Sequence, residues 1–278
     1  MKKFVVIMLL LIMALTMFTA CGQKEEPAET ETVVSGMLSL MGASEEDVNQ
    51  SLLDFGLENI EVKFFDDLNS MVLALQGDKI ISIGRVPDST AKYIESVYPD
   101  LKALARFDGK ESALLSYYMG FNSAKKDVAD KVQVALEEMK TDGTIDKLVV
   151  DYIDAFVDGG EPSAVDMPVI DGAETIKVVV TGDLPPFDYV SADGKPCGFN
   201  TAVLAEISKR IGMNIELVCT NSAGRAAALS SGKADAVFSV SGGIDGDTEY
   251  SSDCPEDIIS VGPYYETEHY MIVKAKEQ

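Results

Sequence analysis

Between Glu174 and Ser241 the chain alternates strand-like and helix-like runs, and that alternation narrows the fold more than any other feature of the sequence. Ile176 to Thr181 is rich in β-branched residues, the composition of a buried strand. A turn follows at Asp183 to Pro186, and Asp193-Gly194 carries a hairpin signal. From Thr201 to Ile211 the apolar residues Val203, Leu204, Ile207 and Ile211 recur at helical spacing. A strand is expected at Asn214 to Val218, a helix at Ala223 to Ser230 that stops at Gly232, and a third strand at Ala234 to Val240. Strands and helices in this alternation predict an α/β fold with parallel pairing and helices on the sheet faces.

Three motifs lie inside this stretch. Asp183 to Tyr189 reads D-x-P-P-F-x-Y, Asp193 to Phe199 reads D-G-K-x-x-G-F, and Ala228 to Ala236 reads A-L-x-S-G-K-x-D-A. In this order and at these separations they resemble the first lobe of the family 3 extracellular solute-binding proteins. That family has the type-2 periplasmic-binding fold and is best known for binding amino acids. The resemblance implies two lobes, each an open, mostly parallel sheet flanked by helices, with a solute cleft between them.

The 278 residues have room for one larger domain or two small lobes, each with a core. A formal charge of −23 argues against nucleic-acid binding, which needs a basic face to displace phosphate counterions. The same acidity says little about a small ligand. There is one histidine, His269, and no His/Cys/Glu cluster, so zinc chemistry is not expected. Nor does a nucleophile with a base partner stand out, so the expectation is a protein that is not an enzyme and uses no cofactor.

Met1 to Ala20 carries Lys2-Lys3 and an apolar run from Phe4 to Leu15, the pattern of a secretory signal. Phe18 to Cys21 resembles a bacterial lipobox, although leucine is more usual where Phe18 stands. That resemblance implies cleavage after residue 20, a diacylglycerol on Cys21 and an extracytoplasmic protein anchored to the cell membrane. An uncleaved membrane anchor is the alternative, and it too places the rest outside the cytoplasm. Residues 22–34 are acidic, lack apolar periodicity, and are expected to form a disordered tether.

From Ser44 a helix is expected, with Ser44 and Asp47 spaced for a capping box. Next come a strand at Ile60 to Phe65, a helix at Asp67 to Gln76, a strand at Ile80 to Ile83 and a helix at Ser89 to Tyr98. Ile60 to Gly84 thus repeats the plan of Ile215 to Val240, as two lobes of one design would; chance likeness of two βαβ units is the alternative. Leu114 to Phe121 is expected as a strand and Lys126 to Lys140 as an amphipathic helix. Thr141 to Ile145 breaks that helix, and Ile145 to Phe156 forms another. A long helix, a D-G-T break and a final helix resemble the way family 3 chains end, yet here they fall in the first half.

The chain therefore divides into a second-lobe-like half with C-terminal-type helices (35–158), a Gly-, Pro- and acid-rich linker (159–173) and a first-lobe-like half (174–278). A circular permutation accounts for this order, and a fragment of two tandem domains is the competing account.

In open α/β sheets, ligands bind beyond the carboxyl ends of the strands. Here that rule selects the loops holding Phe187, Tyr189, Arg225, Ser239, Ser241 and Gly242 from one half and Arg85 from the other, and the resemblance adds Asn200. By the resemblance, Phe187 or Tyr189 offers an apolar face, and Ser239, Ser241 and the Gly242 amide meet a ligand carboxylate. Asn200 stands where the family has Asp and is expected to cap the helix at Thr201. Two departures matter. The family's arginine after the serine loop is missing, since Ala234 to Tyr265 holds no Arg or Lys. In the other half, Arg85 replaces the Asp that usually receives an ammonium group. Arg85 and Arg225 are then candidates for holding an anion, with a solvated or ion-paired surface arginine as the alternative for each.

The acidic run Ile244 to Asp257 spaces its acids partly like a calcium loop. Tyr250 occupies the position that needs glycine, however, so a solvated loop without metal is expected. Cys197, Cys219 and Cys254 allow at most one disulfide. Taken together, the sequence predicts a lipid-anchored receptor that captures a small polar solute, an amino acid or related organic anion, for an ABC permease. The alternative is a sensory or structural surface lipoprotein of the same fold that no longer serves transport.

Overall fold

The structure, a computed structural model, describes residues 32–54, 56–105, 115–160, 163–245, 248–251, 253–255 and 257–275. The expected signal segment and Cys21, and most of the expected tether, lie outside the described residues.

The first lobe in chain order starts with β1 (Val33–Leu38), α1 (Glu45–Asp54), β2 (Ile60–Phe65) and α2 (Leu68–Gln76). It continues through β3 (Ser82–Pro87), α3 (Asp88–Val97) and β4 (Leu101–Ala105). The expected capping box forms, with the Ser44 amide donating to Asp47 Oδ2 at 3.0 Å and the Asp47 amide donating to Ser44 Oγ at 3.1 Å. Asp67 caps α2 by accepting the Ser70 amide.

Val33 and Val34, expected at the end of the tether, instead open β1. A two-residue apolar start beside an acidic run gives no periodicity to read. Gly36 in β1 permits close packing, because a Cβ there would lie 2.6 Å from the Ile80 side chain.

The chain then crosses to the second lobe with β5 (Leu115–Asn122) and α4 (Lys126–Thr141). Gly143, at φ 79°, turns it into α5 (Thr144–Val149), which runs on through a π-helical turn at Val150–Asp154 to Ala155–Val157. After the expected linker come β6 (Thr175–Val180), the small sheet of β7 (Asp183–Leu184), β8 (Asp188–Val190) and β9 (Pro196–Cys197), and α6 (Phe199–Ile211). Then follow β10 (Asn214–Cys219), α7 (Gly224–Ser230), β11 (Ala236–Asp245), β12 (Thr248–Ser251) and β13 (Ile258–Thr267), and β14 (His269–Lys274) returns to the first lobe.

A five-strand sheet and a six-strand sheet result. One runs β2-β1-β3-β14-β4, and the other runs β10-β6-β11-β5-β13 with β12 paired to β11. In each, three strands are parallel and the fourth is antiparallel. That fourth strand comes from the other half of the sequence: β14 sits between β3 and β4, and β5 sits between β11 and β13. Two lobes, each an open and mostly parallel sheet flanked by helices, match the expected fold class. The spatial lobes are not the two halves of the sequence, because β5, α4 and α5 of the first half join the second lobe and β14 of the second half joins the first.

Each lobe has its own core. Phe121, Leu136, Val178, Phe199, Leu204 and Phe238 pack in the second, while Met71, Leu75, Ile83, Ile94 and Ile272 pack in the first. Full burial of one such side chain is worth about 1.5–3 kcal/mol.

Candidate functional site

The third parallel strand of each lobe reaches the interface through a distorted residue. Arg85 in β3 and Ser239 in β11 both have φ 59°, a left-handed conformation that L side chains rarely adopt. Both strands shift register beside that residue, between Val237 and Val240 on β11 and against β14 on β3. Such a bulge re-aims side chains. Here it brings Arg85 and Ser239 to the lining of one cavity between the lobes.

That cavity measures about 90 Å³. Typical small-molecule sites run to roughly 300–1,000 Å³, so this one suits a solute of few atoms. Of the residues selected from the sequence, Arg85, Arg225, Ser239 and Ser241 line it. Arg85 donates to Ser241 Oγ at 3.1 Å across the interface. Further bonds join the lobes, among them the Ser222 amide to the Asp66 carbonyl at 2.9 Å and the Thr90 hydroxyl to the Pro185 carbonyl at 3.0 Å.

Phe187, Tyr189, Asn200 and Gly242 are not part of the lining. Phe187 is 3% exposed and packs with Tyr117, Phe199 and Tyr265. The Tyr189 ring lies 5.5 Å from that of Phe156. Gly242 pairs with Ser116 and Ser251. Asn200 is not the expected cap, because α6 already begins at Phe199 and Gly198 is its cap residue. Its side chain is instead wholly buried, donating to Asp188 Oδ2 at 2.7 Å and Ser239 Oγ at 2.8 Å and accepting from the Tyr264 hydroxyl at 3.3 Å.

Asp188, the unspecified residue of D-x-P-P-F-x-Y, organises the same network. Its Oδ1 accepts from the Thr181 amide (2.8 Å), the Thr181 hydroxyl (2.6 Å) and the Gly182 amide (2.7 Å). Asp188 and Asn200 therefore hold the strained Ser239 in place through a connected hydrogen-bond network.

Arg225 is 5% exposed. It donates to the carbonyls of Ser239 (3.0 Å), Ser222 (3.3 Å) and, across the interface, Ser39 (3.3 Å). Its partner is Asp253, 3.2 Å away and 1% exposed. The acidic run was expected to be a solvated loop; instead part of it forms the β11–β12 hairpin and Asp253 turns inward. Burial pushes the Asp253 carboxyl above its usual range, against the pull of Arg225 and the amides of Met41 and Gly42.

A second perturbed acid stands nearby. The Asp183 carboxyl is raised to about 6, first by burial and then by Asp188, with Asp67 of the other lobe adding to the effect. Cys197 and Cys219 are free thiols. Among the described residues, no group of His, Cys, Asp and Glu could hold a metal ion.

Residues 176–242 match the family model of bacterial extracellular solute-binding proteins, family 3. No curated protein sequence matches the chain. Among solved structures, NikA from Staphylococcus aureus in complex with Ni(L-His)2 is similar at 18% identity over 64% of this chain and 40% of that one, with a TM-score of 0.38. An ABC transporter/periplasmic binding protein from Brucella ovis with glutathione bound is similar at 11% identity over 88% of this chain and 63% of that one, with a TM-score of 0.44. The protein AgaA from A. tumefaciens R10, in complex with agropinic acid, is similar at 12% identity over 77% and 55%, with a TM-score of 0.40. The chain spans less than two thirds of the length of each of these three. The matched residues supply β6, the Asp188–Asn200 network, Arg225 and the serine end of β11, so it is this part of the chain that is similar to the family 3 extracellular solute-binding proteins.

Proposed function

We propose that the protein is an extracytoplasmic solute-binding lipoprotein, anchored through Cys21, that captures a small polar solute between its lobes for an ABC permease. The observation that carries this reading is the position of Ser239 and Ser241. They end the family-matched segment and line an interlobe cavity together with Arg85 of the opposite lobe. The cationic Arg85 favours a small organic anion over an ammonium-bearing group at that end of the cavity. Tyr117 beside it stays a neutral phenol, because burial raises its titration well above the ordinary range.

Strand order supports a permuted chain as the origin of the unusual halves. The end of β14 and the start of β1 flank β3, so the two sequence ends of the first lobe lie at the same end of one sheet.

Thermal unfolding against a panel of amino acids, small peptides, organic acids and opines tests the function. A true solute stabilises the folded state by mass action, and the Arg85→Glu variant should lose any anion-dependent shift. A panel that leaves the midpoint unmoved would favour the second reading, a sensory or structural surface lipoprotein. The observation behind that reading is that Arg225 already has an ion-pair partner within the chain.

A further inference from the structure

Asp253 is held as an incoming acid group would be. Its Oδ1 accepts the amides of Met41 at 2.5 Å and Gly42 at 3.2 Å from one lobe, and its Oδ2 accepts the Arg225 guanidinium of the other at 3.2 Å. Two convergent backbone amides and a guanidinium make a donor set suited to a carboxylate. The approach is also shaped for close contact. A Cβ on Gly42 would lie 3.2 Å from the Asp253 carbonyl carbon, so any larger residue would press on this backbone. The Asp253 amide is fixed in turn by the carbonyl of Ser241, a residue lining the same cavity. An ordinary buried ion pair needs only its partner. This one is bound from both lobes, at the edge of the space where a solute would sit.

We propose that Arg225 and the amides of Met41 and Gly42 form a carboxylate subsite spanning both lobes, which Asp253 fills from within the chain. A solute carboxylate reaches Arg225 only in competition with the Asp253 carboxylate, so the subsite takes small monocarboxylates once that carboxylate is displaced. This deepens the reading of the cleft as a solute site, and it rests on that reading only for the identity of the competing molecule.

The test is thermal unfolding of the full chain in detergent, with acetate as the probe and chloride at equal ionic strength as the control. Asp253→Ala should lower the midpoint by about 10 °C, since it strands a buried guanidinium. About 50 mM acetate should then restore about 3 °C or more over chloride. The wild-type chain should show no acetate-specific gain, and the double variant Asp253→Ala/Arg225→Met should lose the rescue. Equal acetate and chloride curves for Asp253→Ala, or a rescue that survives loss of Arg225, would overturn the proposal.

Hydrogen exchange on the wild-type chain needs no variant. The Met41 and Gly42 amides should exchange slowly, and exchange as fast as that of solvent-facing loop amides would also overturn it. A solute panel without effect on the wild type defeats the transport reading alone; only the acetate and exchange results bear on the subsite.

Discussion

Arg85 and Ser239 each hold a left-handed backbone that costs a non-glycine residue about 1–2 kcal/mol. Strain of that kind persists where surrounding structure enforces it, and both residues face the cavity. Arg85→Gly should therefore raise stability by about 1 kcal/mol even though it deletes the bond to Ser241, because glycine meets no such penalty. Denaturant unfolding would check this, and a net loss of stability would mean that the side chain contributes more than its backbone strain costs.

Asp183 offers a pH test with the opposite charge. Its folded carboxyl titrates at about 6, above the ordinary range, so the folded state holds that proton more tightly than the unfolded chain does. The ionised form is thus a burden above pH 6, relieved as pH falls through 6 toward 4. Going from pH 7.5 to 5, this group should add about 1 kcal/mol of stability, a figure reduced for the solvent that still reaches the side chain. Asp183→Asn should raise the midpoint at pH 7.5 and leave it nearly unchanged at pH 5. A variant that loses stability equally at both values would show that hydrogen bonding, not charge, dominates there.

At the scale of elements, what the sequence made legible follows from how local each signal is. Strands such as β6 and β10 carry β-branched runs, and α6 carries helical spacing, so both could be read within a window of about ten residues. The third strand of each lobe is expected early, at Ile80 to Ile83 and Ala234 to Val240, whereas the structure has Ser82–Pro87 and Ala236–Asp245, so Arg85 and Ser241 lie inside strands rather than in the loops beyond them. By contrast, β4 has no strong strand composition, and β1 is interrupted by Ser35 and Gly36. Asp253 and Asp188 were illegible for a different reason. One sits in an acidic run and the other in a motif position open to any residue, and each is buried by partners distant in sequence or by a fold-specific turn.

Strand exchange is likewise non-local, since β14 pairs with segments more than 150 residues away. It makes a prediction about cooperativity. Ile272 in β14 is fully buried in the first-lobe core. Ile272→Ala should cost about 2–5 kcal/mol. Because β13 of the second lobe leads directly into β14, both lobes should melt in one shifted transition. Fluorescence and circular dichroism curves that separate into two transitions would show that the crossing strands do not couple the lobes.

The whole molecule poses the question of chain order. Val34 lies beside Ile81 and Ile272 beside Ile83, on opposite sides of β3. With strands about 4.8 Å apart, the start of β1 and the end of β14 are separated by about 10 Å, a gap that about four residues can span. The other junction, residues 158–173, connects α5 to β6; among its described residues it holds an isolated bridge between Ala164 and Cys197, hydrogen bonds between Ile170 and the Asn214 side chain, and Val165 buried against Ala202 and Ala205 of α6. Cutting there and joining residue 275 to residue 32 would restore the order in which the family-matched segment comes first. Every strand pairing in both sheets would remain available, because none of β1 to β14 is cut. The reordered chain should fold to a single cooperative state within about 2 kcal/mol of the original, since loop closure changes only slowly with loop length. It should also keep the same response to solutes. If it expresses but fails to fold, the linker is holding more than a connection, and permutation loses its main structural support.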